Sequence, residues 1–319
     1  GNRDDAECLR MVNTALDAGI NLVDTADVYA GGESESLVGR ALKGRRDQVI
    51  LATKVHGPMG DDVNRRGNSR RWIMRACEES LARLQTDWID LYQLHQPDPD
   101  TAIDDTLGAL SDLVHQGKVR CIGTSNFQAE ELVEALWTAE RRGRERIASA
   151  QPPYSIFVRG VETAVLPTCR RHGLGVITYS PLNGGWLSGR IRRDRPLTAT
   201  GRTEHYPERF DPALPQNRRK LDAVEQLAEL AAEAGMPLLH LALGFVTAHP
   251  AVSSALLGPR TLDQLNEQLS AADVRLEDSV LDCIDSIIPP GTVVDLPDSG
   301  YRAAPAPAVW HERLIRRVM

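Results

Sequence analysis

Short runs of β-branched and aliphatic residues recur along the chain, at 20–24, 49–54, 89–95, 119–125, 147–151, 175–180 and 251–258. Each has the length and bounds of a strand. Between them the apolar positions fall at helical spacing. Ile73, Cys77, Leu81 and Leu84 share one face, and Ile103, Leu107, Leu110 and Val114 share another. A further helix is expected over 5–18, and Thr101 with Asp104 stands where a helix N-terminus would place a capping pair. Strands alternating with helices imply a parallel sheet with crossover helices.

The repeat length matches one βα unit per strand, which predicts a TIM-type (β/α)8 barrel in a single domain spanning 1–319. Seven runs are found where eight close a barrel. Strand 1 is therefore expected to lie before residue 1 and to be missing from this chain. The alternative, an open doubly wound sheet, would normally carry a G-x-G-x-x-G turn after its first strand, and none occurs. Residues 187–217 are rich in Arg, Pro and Thr with little periodicity, and a Pro-rich tail follows near 297–307. Stretches of this kind in a compact fold are usually functional or disordered, and both are expected over the barrel mouth.

Composition narrows the class. At 42% apolar and 25% charged residues the chain is globular rather than disordered. A net charge of −7 argues against a dedicated nucleic-acid binder. No apolar run has the ~18 residues of a membrane span, so no membrane role is expected. The five cysteines are scattered without a CxxC pair, which fits a reducing, cytoplasmic setting and neither a disulfide framework nor a metal site.

Chemistry in a barrel of this kind sits at the C-terminal ends of the strands. Those positions hold Asp24 with Tyr29 just beyond, then Lys54, His95, Ser125–Asn126, Gln151, Tyr179–Ser180, and Gly258 with Arg260. Taken singly, each has a plainer reading: Asp24 as a helix cap, Lys54 as a snorkelling lysine, His95 as a structural histidine, Tyr29 as a surface tyrosine. Their joint placement favours chemistry. A buried lysine needs an anion, and Asp24 is the obvious partner. A free phenol, with a pKa of about 10, is a weak acid at neutral pH, and an adjacent ammonium stabilises its anion. His95 can polarise an oxygen that gains negative charge. The set suits hydride addition to a carbonyl, with a nicotinamide as hydride source because no side chain supplies one.

Six segments carry a resemblance across nearly the whole chain: GINLVDTADVY (19–29), VILATKV (49–55), WIDLYQLHQPD (88–98), GKVRCIGTSNF (117–127), ITYSPLNGGWLSGR (177–190) and LLGPRTLDQLNEQL (256–269). In these the chain resembles the aldo-keto reductase family. The resemblance implies a catalytic tetrad of Asp24, Tyr29, Lys54 and His95, with Tyr29 as proton donor. It implies that Ser125, Asn126 and Gln151 hold the nicotinamide carboxamide and that Tyr179 stacks on the ring. Ser180, Leu182, Gly185, Leu187 and Gly189 fall in the segment expected to wrap the pyrophosphate, within a loop at 183–217 lying over the cofactor. Gly258, Arg260, Gln264, Glu267 and Gln268 match the segment at the adenosine end, Gln268 standing where the family usually has Asn. A guanidinium at 260 suits a 2′-phosphate, so NADP(H) is expected over NAD(H).

Substrate choice is expected from loops at 56–70 and 96–100, from Trp186, and from the tail at 289–319 with Tyr301 and Trp310. The 56–70 loop is similar to that of bacterial reductases acting on sugars, so a sugar or nucleotide-linked keto-sugar is among the expected small-molecule carbonyl substrates. An oligomer is compatible with this reading. Two other readings stay open: a cofactor-binding regulatory subunit like the potassium-channel β subunits, which resemble the same family, and a barrel isomerase or aldolase using Lys54 as a Schiff-base nucleophile.

Overall fold

The computed structural model describes residues 4–195, 203–204 and 206–300. Seven parallel strands lie side by side in chain order: β1 (Leu22–Asp24), β2 (Ile50–Val55), β3 (Ile89–Leu94), β4 (Val119–Ser125), β5 (Ile147–Gln151), β6 (Gly175–Thr178) and β7 (Ser254–Ala255). Around them run α1 (Asp5–Asp17), α2 (Glu33–Ala41), α3 (Arg70–Leu84), α4 (Ile103–His115), α5 (Ala129–Arg142), α6 (Val165–His172), α7 (Pro215–Glu233), α8 (Leu238–Ala248), α9 (Leu262–Leu269) and α10 (Asp278–Ile287). Strand order equal to chain order, with a helix in each crossover, makes this the curled sheet of a (β/α)8-type barrel. No ladder joins β7 to β1 among the described residues; in that sector α1 lies against α9.

Strand periodicity sorts the core into two layers. On β2, Leu51 and Val55 join the layer between sheet and helices, whereas Ala52 packs with Leu91 and Ile177 inside the sheet's curve. Lys54 has the parity of Ala52 and so faces the interior. The outer layer takes the apolar faces expected from the spacing: Ile73, Cys77, Leu81 and Leu84 of α3 are buried, as are Leu107 and Leu110 of α4. Each such aliphatic side chain contributes roughly 1.5–3 kcal/mol by leaving water. Helix α2 approaches α3 so closely that a Cβ on Gly39 would sit 2.6 Å from the Leu84 carbonyl oxygen.

Some local expectations need correction. The Thr101–Asp104 capping pair does not form. The residue before α4 is Ala102, which makes no side-chain cap. The Thr101 hydroxyl instead donates to Asp98 at 2.8 Å, and Asp104 pairs with Arg142 and Arg144. The final strand is shorter than the 251–258 run. Trp186, expected to face substrate, is buried, stacks on Phe210 and donates its indole N–H to the Arg209 carbonyl at 3.2 Å. Tyr301, Trp310 and part of the 187–217 stretch lie outside the described residues. No single helix among the described residues is long and apolar enough to cross a membrane.

Candidate active site

Asp24 ends β1 and Lys54 lies in β2, with the chain beyond β1 still bonded to β2: Thr25 N–H to the Ala52 carbonyl at 2.9 Å and Asp27 N–H to the Lys54 carbonyl at 3.1 Å. This extension brings the two charges together. The Lys54 ammonium donates to Asp24 Oδ2 and to the Thr25 carbonyl at 2.8 Å, with the lysine side chain only 1% exposed. The other carboxylate oxygen, Oδ1, accepts from Gln93 Nε2 at 3.1 Å and Gln151 Nε2 at 2.9 Å. A buried ion pair is tolerable only when its remaining hydrogen-bonding capacity is filled, and here Thr25 just past β1, Gln93 of β3 and Gln151 of β5 supply the partners.

Tyr29 opens the 3-10 turn Tyr29–Gly32 that leads into α2, and the backbone turns left-handed immediately afterwards at Ala30 (φ 50). Its ring centroid lies 5.1 Å from Lys54 Nζ and 5.6 Å from the His95 ring, edge to face with the latter. Lys54 has three N–H donors, two of them engaged, so one remains for an oxygen on the tyrosine side. His95 follows β3, its N–H donating to the Val55 carbonyl at 2.9 Å. Burial, and then the Lys54 ammonium, push this imidazole down to about 3, so it works as a neutral ring. The four residues expected to act together therefore do converge at one rim of the barrel.

The neighbouring strand ends form a second group. Ser125 Oγ donates to the Gln151 carbonyl at 3.0 Å, and Asn126 Nδ2 reaches the His95 carbonyl at 3.1 Å. Asn126 and Ser180 both sit on left-handed backbone (φ 61 and φ 57), each just past its strand. Such conformations cost energy in a non-glycine residue and are often retained at functional sites. The Tyr179 hydroxyl donates to Asn126 Oδ1 at 2.7 Å, and burial raises its pKa well above the ordinary phenol range, so the donor proton is kept. Gly300 closes over this pair. A Cβ there would lie 2.0 Å from the Tyr179 hydroxyl, and φ +71 suits glycine in any case.

From Tyr179 a cleft of about 550 Å³ runs to α9. Ser180, Leu182, Gly185, Gly258, Arg260, Gln264, Glu267 and Gln268 line it, all expected cofactor residues. Leu187 and Gly189 do not: Leu187 is buried in the main core, and Gly189 lies against Leu238. Arg190 spans the cleft to Glu267 at 2.7 Å, and the Arg260 N–H donates to Gln264 Oε1 at 2.9 Å. Two features fit a dinucleotide. The buried Gln268 Oε1 has no hydrogen-bond partner among the described residues and can accept from an exocyclic amine. Gly185, at φ +110, has nothing within 4 Å of a would-be Cβ among the described residues, which leaves its backbone open to a phosphate.

Three participants were not found from sequence. Gln93 shares the inward parity of Leu91 and Lys54, and that parity was the available signal. Asp27 is fully buried, and burial, reinforced by nearby Glu35, pushes it up to about 7. Glu35 itself accepts from Thr53 at 2.6 Å and Arg83 at 2.7 Å. Finally, Lys220 on α7 pairs with Asp295 at 2.9 Å and with Asp298, while Arg209 also pairs with Asp298. These bonds tie the 295–298 segment beside the cleft.

The parallel strands thus carry a Lys–Asp–Tyr–His rim with an adjoining cleft. The Aldo/keto reductase family model matches residues 1–289, and the chain belongs to that family. It is 37% identical over 297 residues to an uncharacterized oxidoreductase, YrpG, of Bacillus subtilis (strain 168), covering 90% of this chain and 88% of the relative. Identity to the aldo-keto reductase YhdN of the same organism is also 37%, over 268 residues and 83% and 78% of the two chains. A probable voltage-gated potassium channel subunit beta of Arabidopsis thaliana is 33% identical over 296 residues, covering 90% and 89%. Carbonyl reduction and oxidoreductase activity are the chemistry of this family.

Proposed function

We infer that the protein reduces an aldehyde or ketone with NADPH, Tyr29 giving the proton to the carbonyl oxygen. The observation that carries this reading is the convergence of Tyr29, the Lys54–Asp24 pair and a neutral His95 at the head of the cleft. When bound, the dinucleotide supplies hydride to the carbonyl carbon. Lys54 stabilises the phenolate left as Tyr29 gives up its proton, Asp24 holds Lys54 in place, and His95 donates a hydrogen bond to the oxygen as charge develops. Lys54 acts as a bound cation, engaged twice by oxygens, which favours this role over a Schiff-base nucleophile.

In the same reading Ser125, Asn126 and Gln151 hold the carboxamide, and Tyr179 backs the ring. Asn126 and Gln151 have internal partners in this structure, so binding would exchange some of those hydrogen bonds. Ser180, Leu182 and Gly185 flank the pyrophosphate. Arg260, Gln264, Glu267 and Gln268 surround the adenosine. The substrate carries polar groups, a sugar or nucleotide-linked keto-sugar being among the candidates.

The test is NADPH oxidation with a panel of aldehydes and keto sugars, for the wild type and Tyr29→Phe. The variant is expected to keep its affinity for NADPH and to lose at least about 10²-fold in turnover, the low end for a general acid. Unchanged turnover removes Tyr29 from its role. The similarity to channel β subunits supports a second reading, a cofactor-binding regulatory subunit. It predicts tight NADPH binding with negligible turnover across the panel.

A further inference from the structure

Helix α5 presents an apolar stripe to solvent. Leu132, Ala135, Leu136 and Ala139 bury its inner face, while Val133 and Trp137 on the outer face are 42% and 57% exposed. No other α-helix among the described residues exposes a large apolar side chain. Val133 and Trp137 are four residues apart and so form one continuous patch. Tryptophan is enriched among the residues that carry the energy of protein contacts, and leaving one in water forgoes that gain.

The charges around this stripe are ordered along the helix. Glu130 and Glu134 precede Trp137 and Arg141 follows it, all exposed, at spacings of three and four that keep them on the stripe's side. The Arg141 guanidinium lies 5.1 Å from the Trp137 ring centroid. Arg142 and Arg144 both pair with Asp104, whereas Glu130, Glu134 and Arg141 have no ion-pair partner among the described residues. Exposed Glu140 lies at the stripe's far edge. With acid at one end and base at the other, the face is complementary to itself turned end for end. Glu130 and Arg141 stand equally far from the helix middle, and Val133 and Trp137 straddle Ala135. Two such helices laid antiparallel bring Arg141 of each copy to Glu130 of the other, and Val133 of each to Trp137 of the other.

We propose that α5 is a self-association surface through which a second copy of this chain docks antiparallel about a two-fold axis, with Trp137 near its centre. Because the same patch is used by both partners, assembly closes at two copies. No residue of α5 lines the cleft, so the inference stands apart from the reductase reading. One pair of helices is smaller than a standard interface of roughly 1,600 Å², and a dissociation constant of about 1–100 µM is expected.

Sedimentation equilibrium of the full chain at increasing concentration tests this. The wild type is expected to pass from monomer to dimer and no further. Glu130→Arg and Arg141→Glu each set like charges across the pair, and each alone is expected to weaken the dimer at least about tenfold. Mixing these two variants places opposite charges at both ends again, so the mixture is expected to pair within about threefold of wild-type affinity. Trp137→Ala, which keeps every charge, is expected to weaken the dimer at least about tenfold. All three positions are exposed, so melting temperatures of the dilute monomers are expected to stay near that of the wild type. A wild type still monomeric at about 500 µM overturns the proposal. So does a dimer indifferent to Trp137→Ala or to both charge variants, or a pair of charge variants that fail to associate when mixed.

Discussion

Gln151 and Asp24 are 127 positions apart in the chain, yet the amide nitrogen of the first donates to the carboxylate of the second at 2.9 Å across the interior of the barrel. With Gln93 on the same oxygen and Lys54 on the other, the carboxylate is held from several strands at once. Removing the cation alone leaves a buried charge with amide partners only. Lys54→Met is expected to cost about 3–5 kcal/mol in urea unfolding, as for other broken buried pairs. Adding Asp24→Asn is expected to recover much of that loss. A double variant as unstable as the single one would show that packing, not charge pairing, sets the cost.

Asp27 makes stability depend on pH. Its folded pKa of about 7 lies above the ordinary 3.8, so the folded chain holds this proton more tightly than the unfolded chain does. Nothing is lost below about pH 4, the loss grows as pH rises towards 7, and it is complete above. Roughly three pH units at about 1.4 kcal/mol each set an upper scale of about 4 kcal/mol. Asp27→Asn, which cannot ionise, is expected to gain melting temperature relative to wild type as the buffer goes from pH 4.5 to pH 8. Calorimetry across that range checks it, and a constant difference between the two proteins would falsify the assignment.

How much of this was legible beforehand follows from which interactions leave a local pattern. The strand ends Asp24, Lys54, His95 and Gln151 stood out because each interrupts an apolar run. Gln93 was readable by parity but was passed over inside a strand. The Lys220–Asp295–Asp298–Arg209 cluster joins α7 to a distant segment, and charges so far apart in the chain carry no periodic signal. The expected cap at Thr101 failed because a nearer carboxylate, Asp98, competes for the same hydroxyl.

The choice between the two nicotinamide cofactors can be tested at Arg260. If its guanidinium meets a 2′-phosphate, Arg260→Ala is expected to weaken NADPH binding by about tenfold or more and to change NADH binding much less. Fluorescence titration with both dinucleotides measures it. Equal losses would place the residue in general support of the α9 end of the cleft.

Gly39 is required by packing. A methyl group there would meet the Leu84 carbonyl oxygen at 2.6 Å and the Arg83 carbonyl oxygen at 2.8 Å, both backbone atoms that cannot swing aside. Gly39→Ala is expected to destabilise the chain by about 1–3 kcal/mol despite alanine's better helix propensity. A stabilised variant in chemical denaturation would mean that α2 slides on α3 at little cost.

The strands at the two margins of the sheet are also its shortest: three residues in β1 and two in β7. A margin offers another polypeptide a row of unpaired N–H and carbonyl groups, and its hazard grows with its length. Among the described residues that row is brief at both margins, too brief to template a neighbouring chain, so concentrated solutions are expected to resist fibrillar association in light-scattering assays.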